Sequence, residues 1–414
     1  MTEHRLEVAD VVRKHGKKFL ELYGASTSAH QKRVLRAMES CRTERLGGHV
    51  WMCDACGVLK VSYNSCRDRH CPKCQAAARA RWMEERAAEL LPVPYFHVVF
   101  TLPHQFGPLA LQNKRVVYDI LFQAASQTLL EIAADPQHLG ARIGFLAILH
   151  TWGQRLLHHP HLHCVVPGGG INLDGNGWVQ CKRSKKSQKD FLLPVKVLSP
   201  VFQGKFIEFL KKAYYKGELN FHGELRELAK PDAFERKLDQ AVQKNWVVYA
   251  KRPFGGPQQV LKYLARYTHR VAISNSRLLN MDAGKVEFRY KDYADAGSEK
   301  SLSLDGPEFL RRFLMHVLPS GFMKIRHYGF LWNRYRKEKL ELCRQLLDVD
   351  NSHENAADQT ESELTATPTR ICCPVCGDGE MLILETLEPI KPNRIPVCRP
   401  HFLSLPNITN WDTS

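Results

Sequence analysis

The chain of 414 residues carries 59 Lys and Arg against 43 Asp and Glu, a formal charge of +16, with 44% hydrophobic and 25% charged residues. Such a composition excludes a mostly disordered or fibrous chain, and the length is that of two or three domains. No run of about 18 apolar residues is present and Met1–Tyr23 has no apolar centre of signal-peptide type, so neither a membrane span nor secretion is expected. The basic surplus makes nucleic acid the first partner to test.

In chain order, residues 1–92 are expected to form a helical plus zinc-binding domain. Cys53-x2-Cys56 and Cys71-x2-Cys74 are two knuckles separated by 14 residues, each turning the backbone so that two thiolates face one point. Together they predict one closed, structural Zn2+ site with Zn–S bonds of about 2.3 Å. Cys41, His49, Cys66 and His70 fit no standard spacing and read as core residues or as part of a second site.

Val93–Leu102 is β-branched and aromatic between prolines, a predicted strand. Leu111–Ala134 has the apolar spacing of a core-facing helix, with Val117, Ile120, Leu121 and Ala124 on one face. Phe145–Gln154 and His161–Pro167 read as strands, and the short link Arg155–Pro160 predicts an antiparallel hairpin. Lys182–Lys189 (KRSKKSQK) is a basic loop that includes Lys182 and Lys185. Pro200–Lys216 and Pro231–Lys244 read as helices, Asn245–Lys251 as a strand, and Pro257–Thr268 as a helix with proline in its first turn. Val271–Ser274, Ser276–Met281 and Lys285–Tyr290 have strand character. Phe322–Lys337 interleaves basic and aromatic residues, a pattern suited either to stacking bases or to an amphipathic surface. The element order predicts an α+β fold with an antiparallel sheet.

Gln345–Thr369 holds six acids and no Lys or Arg, which raises the charge of the remainder to +22 and marks an acidic linker over 345–369. Beyond it, residues 370–414 read as a small zinc-binding tail. Cys373-x2-Cys376 is followed after 21 residues by Cys398-x2-His401, a possible second zinc site in which Cys372 could replace Cys373.

Chemistry concentrates at two places. His161 and His163 alternate on a strand, so both imidazoles share a face and can hold a divalent cation. Pairing about the Arg155–Pro160 link would bring Gln154 onto that face as a third ligand, with His150, His158 and His159 as competitors. Tyr263 and Tyr267 lie four residues apart on a predicted helix, with Arg266 between them and His269 and Arg270 following. Two tyrosines beside Val260 and Leu264 are equally what a core-packing stripe would show.

The segments NSCRDRHCPKCQ, LLPVPYFHVVFTLP, HTWGQ with HHPHLHCVVPGGG, and YLARYTHRVAI, in this order, closely resemble the zinc-finger-bearing, two-tyrosine HUH transposases of rolling-circle insertion sequences. The resemblance runs from about Arg42 to Leu331, roughly 70% of the chain. It implies a sheet of the replication-initiator and relaxase type in residues 93–344, with the stretch after Phe322 as a basic and aromatic extension. It also implies Mg2+ or Mn2+ on His161 and His163, nucleophiles at Tyr263 and Tyr267, single-stranded transposon ends as partner, and a bacterial cytoplasmic location. Arg266, Arg270, Lys182 and Lys185 are the expected phosphate contacts. A replication initiator or relaxase of the same chemistry, or a non-catalytic zinc-ribbon DNA-binding protein, are the alternatives. The absence of a GxxxxGK[ST] segment argues against a fused helicase.

Overall fold

The strand-forming runs between residues 93 and 329 assemble, in a computed structural model that describes residues 5–183, 190–251, 259–260, 272–347, 371–390 and 409–410, into one five-stranded antiparallel sheet. Its spatial order is Val248–Lys251, Tyr95–Thr101, His158–Pro167, Gly144–Trp152, Ile325–Gly329. The architecture is α+β, as expected. The predicted helix over 111–134 is a short helix Gly107–Gln112 followed by Lys114–Ala134. The predicted Pro200 start lies inside a longer helix, Val195–Tyr215.

Both faces of the sheet are covered, which is why its strands read as near-continuous apolar runs rather than alternating ones. On one face Phe96, Val98, Phe100, Leu149, Leu162 and Cys164 pack against the helices Lys114–Ala134 and Val195–Tyr215. On the other face Tyr95, Leu146, Ile148 and Val165 form a smaller cluster with Leu91, Val93, Phe330, and with Leu340 and Cys343 of the helix Arg336–Leu346.

The fifth strand, Ile325–Gly329, corrects the expectation of a basic, aromatic extension. These residues pair with Gly144–Ile148 along the sheet edge. Phe322 and Phe330 are buried, and the Arg326 guanidinium lies 4.1 Å from the Phe122 ring and pairs with Asp119. These aromatic and cationic groups are spent within the fold, while Trp332, Arg334, Tyr335 and Lys337 remain exposed.

A second sheet is a meander of Leu278–Asn280, Lys285–Asp292 and Ser298–Asp305. Its third strand, SEKSLSLD, has only two large apolar residues and gives little strand signal. Ala272–Ser274 is not in a strand. The meander and the helix Gly306–Met315 share one core with the N-terminal helices Val8–Tyr23 and Ala29–Ser40. Val8, Val11, Val12 and Phe19 meet Phe288, Phe309, Phe313 and Leu314 there. Residue 92 therefore does not divide two cores: the apolar stripe of the first helix is buried by residues some 300 positions later in the chain.

The zinc-ribbon region is a sheet ordered Met381–Leu387, Gly48–Cys53, Leu59–Tyr63, Thr409–Asn410. The C-terminal segment thus pairs with the N-terminal hairpin instead of standing apart as a tail. Among the described residues no helix is long and apolar enough to cross a membrane.

Candidate active site

Opposite residues in an antiparallel ladder share a face. His161 pairs with His150, and His163 with Ile148, so three imidazoles converge on the face carrying Tyr95, Leu146 and Val165. One ring nitrogen from each of His150, His161 and His163 lies within 4.8 Å of the others. Ring centroids are 4.3 Å apart for His150 and His163, and 4.8 Å for His161 and His163.

The third member corrects the sequence expectation. Gln154 is not opposite His161, because the hairpin turn is Gly153–Leu157, the first pair inward is Trp152 with His158, and a bulge follows between Trp152 and His150. The strand starts three residues earlier than expected, and this moves the register. Gln154 is held elsewhere: its Oε1 accepts from the Lys291 amide at 3.4 Å, and its carbonyl accepts from Arg277 at 2.6 Å. Of the competitors, His158 points to the opposite face, where its Nε2 meets the Tyr118 hydroxyl at 2.8 Å. His150 opens the HTWGQ segment, and only the bulge between His150 and Trp152 sets it opposite His161, so period-2 counting along the strand does not single it out.

Neighbours orient the rings. His161 Nδ1 donates to the His159 carbonyl at 2.7 Å, which leaves Nε2 with its lone pair. His163 Nδ1 lies 2.7 Å from His97 Nε2, and in the tautomer in which His163 donates to His97 the other His163 nitrogen keeps its lone pair for the cluster. Burial lowers His161 to about 4 and His163 well below its ordinary value, so both are neutral at pH 7. Three imidazoles would suit a divalent transition metal, and of the two expected cations they favour Mn2+ over the oxygen-preferring Mg2+.

Tyr263 and Tyr267 lie outside the described residues, with Arg266, His269, Arg270 and Lys185. Within the same expected helix, Val260 is 2% exposed and belongs to the apolar cluster on the histidine face. Lys182 is exposed and its Nζ reaches the Gln137 carbonyl at 3.3 Å.

The cysteines regroup relative to expectation. Cys41, Cys66, Cys71 and Cys74 form one sulfur tetrad, and Cys53, Cys56, Cys373 and Cys376 another. In the first, Cys41 and Cys66 lie 3.6 Å from Cys74, and Cys71 lies 3.7 Å from Cys41. The pairing of Cys53 and Cys56 with Cys71 and Cys74 fails for a geometric reason. Cys53 and Cys56 sit at the tip of the Gly48–Tyr63 hairpin, whereas Cys41 and Cys66 flank its base. A five-residue strand separates tip from base by about 17 Å. Four sulfurs this close compete for protons: contact with Cys66 draws Cys41 down to about 7, while Cys66 and Cys71 are pushed up. His49 and His70 stand aside, His49 beside Thr386 at 3.5 Å and His70 between Asp68 and the Leu318 amide. Cys398 and His401 lie outside the described residues.

Two family models match the chain, one described as "Putative transposase" over residues 144–339 and one as "Transposase zinc-binding domain" over residues 11–102. "Putative transposase y4qJ" of Sinorhizobium fredii (strain NBRC 101917 / NGR234) is 52% identical over 389 residues, covering 92% of this chain and 96% of that one. The transposase for insertion sequence element IS801 of Pseudomonas savastanoi pv. phaseolicola is 28% identical over 304 residues, covering 72% and 69%. A solved structure, the conjugative relaxase TrwC in complex with mutant OriT DNA, is 13% identical and covers 60% of this chain and 72% of that one, with a TM-score of 0.22.

Proposed function

The chain belongs to the IS91-type transposases, and from that membership we propose that it cuts and rejoins single-stranded DNA at transposon ends by tyrosine attack, in rolling-circle transposition. The observation that carries this reading is the convergence of His150, His161 and His163 on the sheet face where Val260, three residues before Tyr263, is buried.

A tyrosine hydroxyl, with a pKa near 10, is a weak nucleophile at pH 7. A divalent cation, when bound by the three imidazoles, polarises the non-bridging oxygens of the scissile phosphate. His161, with its Nδ1 donating to the His159 carbonyl, holds its Nε2 lone pair free for that position, and His97 lies against the His163 ring. As the Tyr263 or Tyr267 oxygen bonds to phosphorus, the bond to the 3′ oxygen breaks. The phenolic proton is lost and the 3′ oxygen leaves as a hydroxyl. The 5′-phosphotyrosine keeps the ester energy, so rejoining by that hydroxyl needs no ATP. A second tyrosine permits a second cut while the first end is still held.

Arg266, Arg270, Lys182 and Lys185 serve the phosphate backbone in this reading. Cys41, Cys66, Cys71 and Cys74 hold the structural zinc of the zinc-binding domain. Their loop is tied to the catalytic body through Arg69 donating to the Phe322 carbonyl at 2.7 Å.

The test is an oligonucleotide spanning the element end, incubated with the full chain and Mn2+ or Mg2+. The expected result is a nick with protein covalently joined on the 5′ side, stronger with Mn2+, and lost in the Tyr263→Phe, Tyr267→Phe double variant. Metal-dependent nicking without an adduct, or an adduct persisting in the double variant, would overturn the reading.

A further inference from the structure

The second sulfur tetrad joins residues from opposite ends of the chain and lies outside the segment matched as a zinc-binding domain, residues 11–102, for two of its four members. From it we infer that the protein carries a second structural zinc ion, bound by Cys53, Cys56, Cys373 and Cys376, which clamps the C-terminal segment onto the N-terminal hairpin.

The two knuckles are built alike. Each has the sequence Cys-x-x-Cys-Gly, CDACG at 53–57 and CPVCG at 373–377. In each the glycine amide returns to the carbonyl of the first cysteine, Gly57 to Cys53 at 3.0 Å and Gly377 to Cys373 at 2.9 Å. Both glycines adopt left-handed backbone, φ 69° and 78°, a conformation that side-chain-bearing residues rarely take. Backbone amides point at the sulfurs: Cys56 to Cys53, Val375 to Cys373 and Gly379 to Cys376, each at 3.4 Å. Such amide donation stabilises thiolates. Across the pair, Cys53 and Cys376 sulfurs are 3.7 Å apart, and those of Cys56 and Cys373 3.8 Å. Four sulfurs around one point, with no oxygen or imidazole among them, are a donor set for zinc.

The packing beneath the tetrad also calls for a metal. The apolar cluster there has only Cys53, Cys373 and Met381 as buried members, with Trp51, Val58 and Cys376 partly buried around them. A core this small does not hold a unit of this size without a staple. Strand pairing of Gly48–Cys53 with Met381–Leu387, with the Asp54 amide donating to the Glu380 carbonyl at 3.1 Å and the Glu380 amide to the Asp54 carboxylate at 2.8 Å, sets the register that brings the knuckles face to face. Cys56 and Cys373 are 317 positions apart, so the site is completed only after the whole catalytic body has been made. A copy truncated before residue 373 keeps the first tetrad and lacks the second.

This inference stands apart from the tyrosine chemistry and is tested by zinc content per chain in the purified full-length protein. The expected values are two ions in the unaltered chain and one in the Cys373→Ser, Cys376→Ser variant. Two ions are expected in Cys376→His, which preserves a ligand, and in Cys398→Ser, His401→Ala. One ion in the unaltered chain would overturn the inference, and so would loss of an ion in the Cys398/His401 variant. Two ions persisting in the Cys373/Cys376 variant would do the same. Retention of two ions by Cys376→His separates lost ligation from lost folding.

Discussion

At the scale of single residues, the histidine cluster, on the proposed reading, separates ligands from the residues that aim them. His97 is buried and neutral, held to about 4 by loss of solvent, and its Nε2 faces His163 Nδ1. We expect His97→Ala to weaken Mn2+ affinity by about 10- to 100-fold, the usual cost of losing a partner that orients a ligand. His150→Ala should cost more, and Gln154→Ala should leave affinity unchanged, since Gln154 is engaged with Lys291 and Arg277. Titration of each variant with Mn2+ measures this, and equal losses for Gln154→Ala and His150→Ala would remove His150 as the third ligand. His161 and His163 were legible because strand alternation is local. His150 was not, because its place depends on a register that one bulge and a five-residue turn decide.

At the scale of elements, the hairpin that sets this register is itself anchored by buried histidines on its far side. His158 meets Tyr118, and His316 bridges Thr151 at 3.2 Å and the Leu156 carbonyl at 3.1 Å. Burial lowers both to about 3, from 6.5. The unfolded chain therefore binds more protons between these values. Stability from the neutral rings is full above pH 6.5 and is lost as pH falls toward 3, by up to about 1.4 kcal/mol per pH unit for each ring. We expect His316→Gln to reduce the slope of unfolding free energy against pH, between pH 6 and 4, by about one proton. An unchanged slope would show that His316 does not titrate on unfolding. Zinc loss at low pH is common to both proteins and cancels in the comparison. Most strands and helices of the body were legible from their apolar runs. Ile325–Gly329 was not, because Arg326, His327 and Tyr328 carry the composition of a ligand surface while pairing at a sheet edge.

At the scale of the whole molecule, the ends of the chain close around its middle. N-terminal helices share a core with Gly306–Met315, the first sulfur tetrad docks near Phe322, and the second draws residues 371–390 back to the first hairpin. The charge of +22 outside the acidic stretch is the means of holding a polyanion in the proposed reaction. If Lys182 and Lys185 meet phosphates, replacing both by alanine should reduce the slope of log affinity for single-stranded DNA against log salt by about 1.4. A slope equal to that of the unaltered chain would assign these lysines to solvent.

The sequence by itself determined the mixed α+β class, the knuckles, the histidine pair and the family, because each is written in residues a few positions apart. Which cysteines meet, which residue stands third beside His161 and His163, and where the C-terminal segment goes were decided by tertiary structure alone. The reason is the same in all three. Spacing along the chain specifies a local turn or face, whereas partners brought together across a hairpin, or across 317 positions, are chosen by strand register and by the shared burial of faces.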